Sequence, residues 1–358
     1  MLRRRLQSLC VASDPRLVPE LNTLVANTES VWEELRSARI FITGGTGFFG
    51  GWLVGSALHA IDALGLDTKI CVLTRRHDLS QTAIGHLMGH PALATVQGDV
   101  CSFEFPHGEW SHILHAGAEA SATLHREDPL GTFATNLEGT RRCLEMARRV
   151  AAKRFLYVSS GAVYGPMGAK ESPVTEDYSG APSPLSPATA YSQGKRAGEF
   201  LTIAMAQKHG FEACVGRCFA FVGPYQPLRS SFAISNFIAD ALEGKKIRVA
   251  GDGLAKRSYL YASDLAEHLW TLLVFGDAGE AFNVGSEEPI SIGELAETVN
   301  DVLLGKGVEV MGVPDPNVPI QWYVPNCAKG RMRLGLQSRT GLRDAVLRSA
   351  RWYSASLE

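Results

Sequence analysis

The stretch RIFITGGTGFFGGWL, residues 39–53, decides how the whole chain reads. The apolar run Ile40-Phe41-Ile42 leads straight into five glycines between Ile42 and Leu53. Glycine loses more backbone freedom on folding than any other residue, so a cluster of it marks places where the chain turns sharply or meets something closely. The amphipathic pattern GWLVGSALHAID follows at once. Strand, glycine-rich turn and helix together receive a dinucleotide pyrophosphate on free N–H groups and the positive end of the helix dipole. In the spacing GxxGxxG, Gly44 is read as the tight turn, Gly47 as the point of close approach and Gly50 as close helix-on-strand packing. Gly45 and Gly51 have no assigned task.

Outward from this stretch the rhythm repeats. RIFIT, KICVLT, HILHAGA, RFLYVSS and ACVGRCFAF are short apolar strands separated by longer amphipathic segments. Continuous apolar strands alternating with helices predict a doubly wound α/β Rossmann fold of about seven parallel strands, covered on both faces. Residues 1–38 read as an N-terminal extension and 39–222 as the NAD(P)-binding domain, with a return segment at about 262–285. Residues 223–358 read mainly as a smaller substrate-binding lobe. The 35 basic and 37 acidic residues give a formal charge of −2, which offers no electrostatic footprint for nucleic acid or an anionic membrane. No apolar run reaches the roughly 20 residues of a bilayer span. The basic opening MLRRRLQSLC lacks the apolar core of a targeting peptide and reads as a solvated arm. The seven cysteines are scattered and suggest reduced thiols in a cytoplasmic protein, and no spacing among them points to a metal.

The second strand ends in Thr74-Arg75-Arg76, where a dinucleotide site commonly places an acid for the ribose 2′-hydroxyl. A carboxylate there repels a 2′-phosphate and a guanidinium attracts it, so the sequence predicts NADP(H) over NAD(H). YSQGK places Tyr191 and Lys195 four residues apart on one helix face. A neighbouring ammonium favours the phenolate, which would let Tyr191 give or take a proton in a hydride-transfer reaction. The strand FLYVSS supplies Ser159 and Ser160 at its carboxyl end, where open α/β sheets bind ligands.

TGxxGxxG at 43–50, GDV at 98–100, SSGAVYG at 159–165 and YxxxK at 191–195 together resemble the extended short-chain dehydrogenase/reductases. These are nucleotide-sugar epimerases, dehydratases and reductases, and the match runs from about Arg39 to the C-terminus. The resemblance implies a catalytic Ser160–Tyr191–Lys195 set, with Ser160 preferred over Ser159 and Lys195 also holding the nicotinamide ribose. It implies cofactor contacts at Gly44, Thr46, Gly47, Phe48, Phe49, Gly50, Thr74, Arg75, Arg76, Asp99, Val100 and Ala116, with Asp99 on the adenine. Asn136 matches the family's NxxGT helix, with a packing role equally open. Arg217 fits the R-x-F-N-x-x-G-P pattern, although Ala220 replaces its asparagine. The substrate candidates are Ser160, Tyr191, Tyr225 and Arg257, the last as an anchor for the diphosphate. A homodimer through the helices bearing Asn136 and Tyr191 is also implied.

Dehydratases of this family carry an Asp-Glu pair where this chain has Gly161 and Ala162, so elimination lacks its usual proton carriers. The favoured reading is an NADP(H)-dependent reductase of a nucleotide-linked 4-keto (6-deoxy) sugar, with Tyr191 supplying the proton. The alternative is an NAD-dependent nucleotide-sugar 4-epimerase with a retained cofactor; a non-catalytic dinucleotide sensor ranks below both. Tyr225 and His125 stand as candidates for a second proton donor.

Overall fold

The computed structural model describes residues 14–118, 122–167 and 173–354. The basic arm of residues 1–13 lies outside them. Seven parallel strands form the central sheet: β1 (Arg39–Thr43), β2 (Lys69–Thr74), β3 (Leu93–Gln97), β4 (His112–His115), β5 (Arg154–Ser160), β6 (Glu212–Cys218) and β7 (Ala281–Val284). Their order is β7-β6-β5-β4-β1-β2-β3, so the winding reverses between β1 and β4. Ile40, Phe41 and Ile42 in β1 are fully buried, as a strand covered on both faces requires. The doubly wound Rossmann sheet read from the alternating pattern is the observed one.

The helices are α1 (Val18–Asn27), α2 (Glu29–Glu34), α3 (Phe48–Leu64), α4 (Ala122–Glu127), α5 (Pro129–Arg149), α6 (Ala190–His209), α7 (Ala233–Leu242), α8 (Ala262–Phe275), α9 (Ile292–Leu303), α10 (Ala328–Leu334) and α11 (Leu342–Ser354). One face of the sheet packs on α3 and α8, the other on α5 and α6. Residues 18–35, set apart in the sequence as an extension, are part of the first of these layers. Leu21, Leu24, Val25, Val31, Trp32 and Leu35 are buried against α3 and α8, and the Trp32 and Trp270 ring centres lie 5.2 Å apart. Polar ties lock the same contact: Asn22 with His59 at 2.7 Å, and Asn27 donating to Glu267 at 2.8 Å.

A separate core built from α7, α9, α11 and short strands, with Ile234, Phe237, Leu295 and Val346 at its centre, forms the C-terminal lobe. It also contributes a three-stranded sheet of Ile290–Ser291, Lys256–Arg257 and Trp322–Tyr323. That sheet carries two residues of the lobe to the carboxyl ends of β5 and β6.

Candidate active site

The glycine turn lies at the point where the winding reverses, as ligand sites in open α/β sheets do. Gly44 has φ +73°, and a Cβ on it would stand 2.8 Å from the Ala116 carbonyl on the next strand's exit. Thr43 Oγ1 ties the two exits together, accepting from Gly117 N–H at 2.8 Å and bonding His115 Nδ1 at 2.7 Å. A Cβ on Gly50 would lie 2.1 Å from the Gly45 carbonyl carbon, so the helix start and the turn touch backbone to backbone. The two glycines without an assigned task also prove constrained: Gly45 abuts Val72, and Gly51 abuts Ala83 and Tyr225. Gly47 differs, with nothing nearer its Cβ position than the Gly44 carbonyl oxygen at 3.6 Å. It is the N-cap of α3, and no side chain caps this end, so the first N–H groups of Phe48, Phe49 and Gly50 keep their donors for a ligand. An open cradle over an uncapped helix start fits a dinucleotide pyrophosphate.

Thr74 and Asp99 end neighbouring strands, joined by Gly98 N–H donating to the Thr74 carbonyl at 2.9 Å. Thr74 is buried, and its hydroxyl accepts from Arg76 N–H. Arg75 and Arg76 point outward, exposed, and neither forms an ion pair among the described residues. Asp99 is exposed and turns its own loop by accepting from Cys101 N–H at 2.9 Å, and Val100 packs on Gly139 of α5. Thr46 and Ala116 border the same turn, Thr46 through its carbonyl to Ala83 N–H.

At the end of β5 the two serines face different partners. Ser159 donates to Glu199 at 2.6 Å, and Glu199 is held by the fork of Arg217, with Nη2 to Oε2 at 2.8 Å. Arg217 also donates to the Tyr164 hydroxyl and to the Glu176 carbonyl. Arg217 is therefore a half-buried internal strut. Ser160 instead lies by the Tyr191 phenol, its oxygen accepting from Ala162 N–H at 3.1 Å. Lys195 is buried below, donating to the Val158 carbonyl at 2.7 Å and lying 6.0 Å from the Tyr191 ring centre. Asn136 lies on α5 beside Gly194, with its amide nitrogen on Thr132 and its side-chain oxygen unpartnered among the described residues.

The electrostatics depart from what spacing alone suggests. Burial pushes the Tyr191 phenol well above its ordinary value, with Tyr323 adding to the rise and the nearby Ser160 hydroxyl opposing it. Burial likewise pushes the Lys195 ammonium down to about 8. The expected lowering of Tyr191 by Lys195 is absent here, because the ammonium is spent on a backbone carbonyl and desolvation outweighs the charge. Tyr191 is thus a protonated phenol at neutral pH, fitted to donate.

Tyr323, which the sequence reading did not single out, closes the site. Its hydroxyl lies 3.5 Å from Ser160 Oγ and its ring centre 4.8 Å from that of Phe219. A Cβ on Gly161 would stand 2.9 Å from the Tyr323 hydroxyl and 2.8 Å from the Phe219 ring. Arg257 pairs with Tyr323 across the lobe sheet and holds its guanidinium 5.5 Å from that ring centre, so the proposed anchor does reach the site. Tyr225 does not. With φ +71°, it is boxed in by Gly51, Trp52, His86 and Trp352 behind the start of α3, so its proposed part beside the sugar is withdrawn. His125 is brought in, its ring stacked on Tyr191. Glu199 was legible as the next i+4 step after Tyr191 and Lys195, whereas the stretch WYVPNCAKGRMRLGL at 322–336, which resembles the tail of 4-keto-6-deoxysugar reductases, gives no sign that the Tyr323 hydroxyl reaches Ser160.

Among the described residues no group of His, Cys, Asp and Glu is arranged to hold a metal ion, and no helix is long and apolar enough to cross a membrane. The family model described as the NAD dependent epimerase/dehydratase family matches residues 40–285. UDP-glucuronic acid decarboxylase 6 of Arabidopsis thaliana is 33% identical over 312 residues, 86% of this chain and 86% of its own length. UDP-glucuronic acid decarboxylase 1 of Xenopus tropicalis is 30% identical over 321 residues, 89% of this chain and 73% of its own. A UDP-glucose 4-epimerase structure from Thermotoga maritima, with UDP-glucose, matches with a TM-score of 0.75 at 21% identity, covering 89% of this chain and 100% of that one. A dTDP-glucose 4,6-dehydratase from Streptomyces venezuelae, with NAD bound, also scores 0.75 at 24% identity, covering 88% and 97%. These two likenesses are of fold. With the glycine turn, the seven-stranded sheet and the Ser–Tyr–Lys set all inside the matched region, the chain belongs to the NAD dependent epimerase/dehydratase family, the extended short-chain dehydrogenase/reductase enzymes.

Proposed function

We propose that this enzyme reduces a keto group on a nucleotide-linked 4-keto (6-deoxy) sugar. One observation carries the reading: a complete Ser160, Tyr191 and Lys195 set faces a site where neither place of the acid–base pair holds a carboxylate, and one of them, Gly161, is crowded by Tyr323 and Phe219. Such a site can move one proton to one oxygen. A nicotinamide cofactor supplies the hydride when bound. Ser160 holds the carbonyl oxygen by hydrogen bond, protonated Tyr191 donates to it as it becomes a hydroxyl, and buried Lys195 holds the floor of the site. Arg257 anchors the diphosphate. Arg75 and Arg76, exposed beside Thr74 with no carboxylate partner among the described residues, favour the 2′-phosphate of NADPH. The enzyme works in the cytoplasm as a homodimer, paired through α5 and α6, whose outer faces expose Leu130 and Phe200.

A second reading is favoured by the relatives: redox-neutral chemistry with a retained NAD. The named 4-epimerase and decarboxylases, and the NAD in the dehydratase structure, point that way. Mass spectrometry of the nucleotides released from the purified protein separates the two. Tightly held NAD favours 4-epimerisation or decarboxylation; an exchangeable cofactor, with NADPH oxidised by a dTDP-linked 4-keto-6-deoxy sugar and that oxidation abolished in Tyr191→Phe, supports the reductase. Turnover unchanged in Tyr191→Phe defeats both readings, and NADH binding as tightly as NADPH defeats the cofactor assignment.

A further inference from the structure

We propose that His125 is a positioning residue for Tyr191, acting through the faces of the two rings; the inference rests on Tyr191 being the proton donor. Past the Ala116–Gly117 turn that meets the glycine loop, the chain enters α4 and delivers the His125 ring onto the catalytic phenol. The ring centres are 4.6 Å apart and the planes 16° from parallel. That is a stacked pair within the distance range of favourable aromatic contacts. His125 is half-buried and reaches Tyr191 from a different element than any other group at the site.

The phenol oxygen lies on the ring's own axis, so turning the ring leaves it in place, whereas a tilt of the whole side chain moves it, and a ring stacked face to face resists that tilt. Lys195 is anchored on the Val158 carbonyl, 6.0 Å from the ring centre. A proton donor must meet the reacting oxygen with its direction set, and a misplacement of about 1 Å costs up to ~100-fold in rate. The stacked imidazole opposes such a tilt. It acts on the orientation of Tyr191 and leaves substrate affinity alone, so its signature is a change in kcat with KM held.

The test uses the full chain with three substitutions: His125→Phe keeps a flat ring, His125→Leu keeps bulk without one, and His125→Ala keeps neither. Turnover is measured with NADPH and a dTDP-linked 4-keto-6-deoxy sugar, and in parallel as epimerisation of UDP-glucose, since Tyr191 serves both readings. The expected result is a kcat for His125→Phe within about twofold of wild type, with His125→Leu and His125→Ala down about tenfold at unchanged KM. Wild-type kcat in His125→Ala, or a His125→Phe variant as slow as His125→Ala, overturns the inference while the Tyr191 reading stands. A wild type inactive on both substrates overturns the Tyr191 reading and the inference with it.

Discussion

Gly47 and Gly50 are three residues apart, yet the structure separates what an added methyl would do at each. On Gly50 it would sit 2.1 Å from the Gly45 carbonyl carbon and 2.2 Å from its oxygen. Those neighbours are backbone and cannot rotate aside, so the turn and the start of α3 must part. Overpacking costs about 1–3 kcal/mol where side chains can adjust, and the upper end, ~3 kcal/mol, is expected where backbone must move. On Gly47 the nearest atom is 3.6 Å away and φ is −93°, a conformation any residue adopts. There the expected loss of stability is below ~1 kcal/mol, the size of an N-cap replacement. The Gly47 methyl would instead project into the cradle in front of the free N–H groups and weaken cofactor binding, by about tenfold if it displaces ~1.4 kcal/mol of phosphate contact. Urea denaturation without cofactor and calorimetric titration with NADPH and NADH read the two effects apart. Gly50→Ala should unfold at clearly lower urea, and Gly47→Ala should keep its midpoint and lose affinity. A wild-type midpoint for Gly50→Ala refutes the backbone contact; wild-type affinity in Gly47→Ala refutes a pyrophosphate over that glycine.

Acid should loosen the fold before any carboxylate is considered. Burial holds His112 and His268 down to about 4 and His115 down to about 3, so below the unfolded value of 6.5 the unfolded chain binds more protons and stability falls with pH. Urea midpoints that stay level from pH 7.5 to pH 5 would contradict this. Lys195 has the same sign at the other end: with its folded value near 8 against 10.5, wild type should gain on Lys195→Met as pH rises between those limits. The gain is roughly 3 kcal/mol over the whole window, and parallel curves for the two proteins would exclude it. Tyr323→Phe removes a hydroxyl at the edge of hydrogen-bond reach of Ser160, worth about 1 kcal/mol. Its kcat with the keto-sugar should drop severalfold, and an unchanged kcat would show that Tyr323 only fills space.

The parts of this protein legible in its sequence are those in which local chemistry and fold agree. Ile40-Phe41-Ile42 followed by Gly44 could be read because a buried parallel strand and a positive-φ turn each demand few residue types. Ser160, Tyr191 and Lys195 could be read because strand exits and i+4 helical steps have fixed geometry. Residues 18–35 could not, because their apolar stripe shows that a partner exists without showing that α3 and α8 are the partner. Tyr225 misled for a related reason: its place after Gly223-Pro224 says nothing of the positive φ that turns its ring toward Trp52 and Trp352. The charge state of Tyr191 was out of reach as well. Spacing puts an ammonium near the phenol, but only the packed structure shows that ammonium bonded to Val158 and desolvation raising the phenol.

Tyr323 changes the grounds on which elimination chemistry is set aside. From sequence, Gly161 and Ala162 merely lack the carboxylates that would carry protons, a deficiency two substitutions could repair. In the structure the first of the two places is crowded, since a Cβ at 161 would press within 2.8 Å of Phe219 and 2.9 Å of the Tyr323 hydroxyl. Tyr323 reaches there from the C-terminal lobe, on the strand that also pairs with Arg257. The lobe that carries the proposed substrate anchor therefore also crowds position 161. A carboxylate at 161 would have to displace the buried Phe219 ring, the half-buried Tyr323 ring and the Arg257 contact before it could act. The glycine at 161 therefore goes with the packing of Tyr323 and Phe219 at the end of β5.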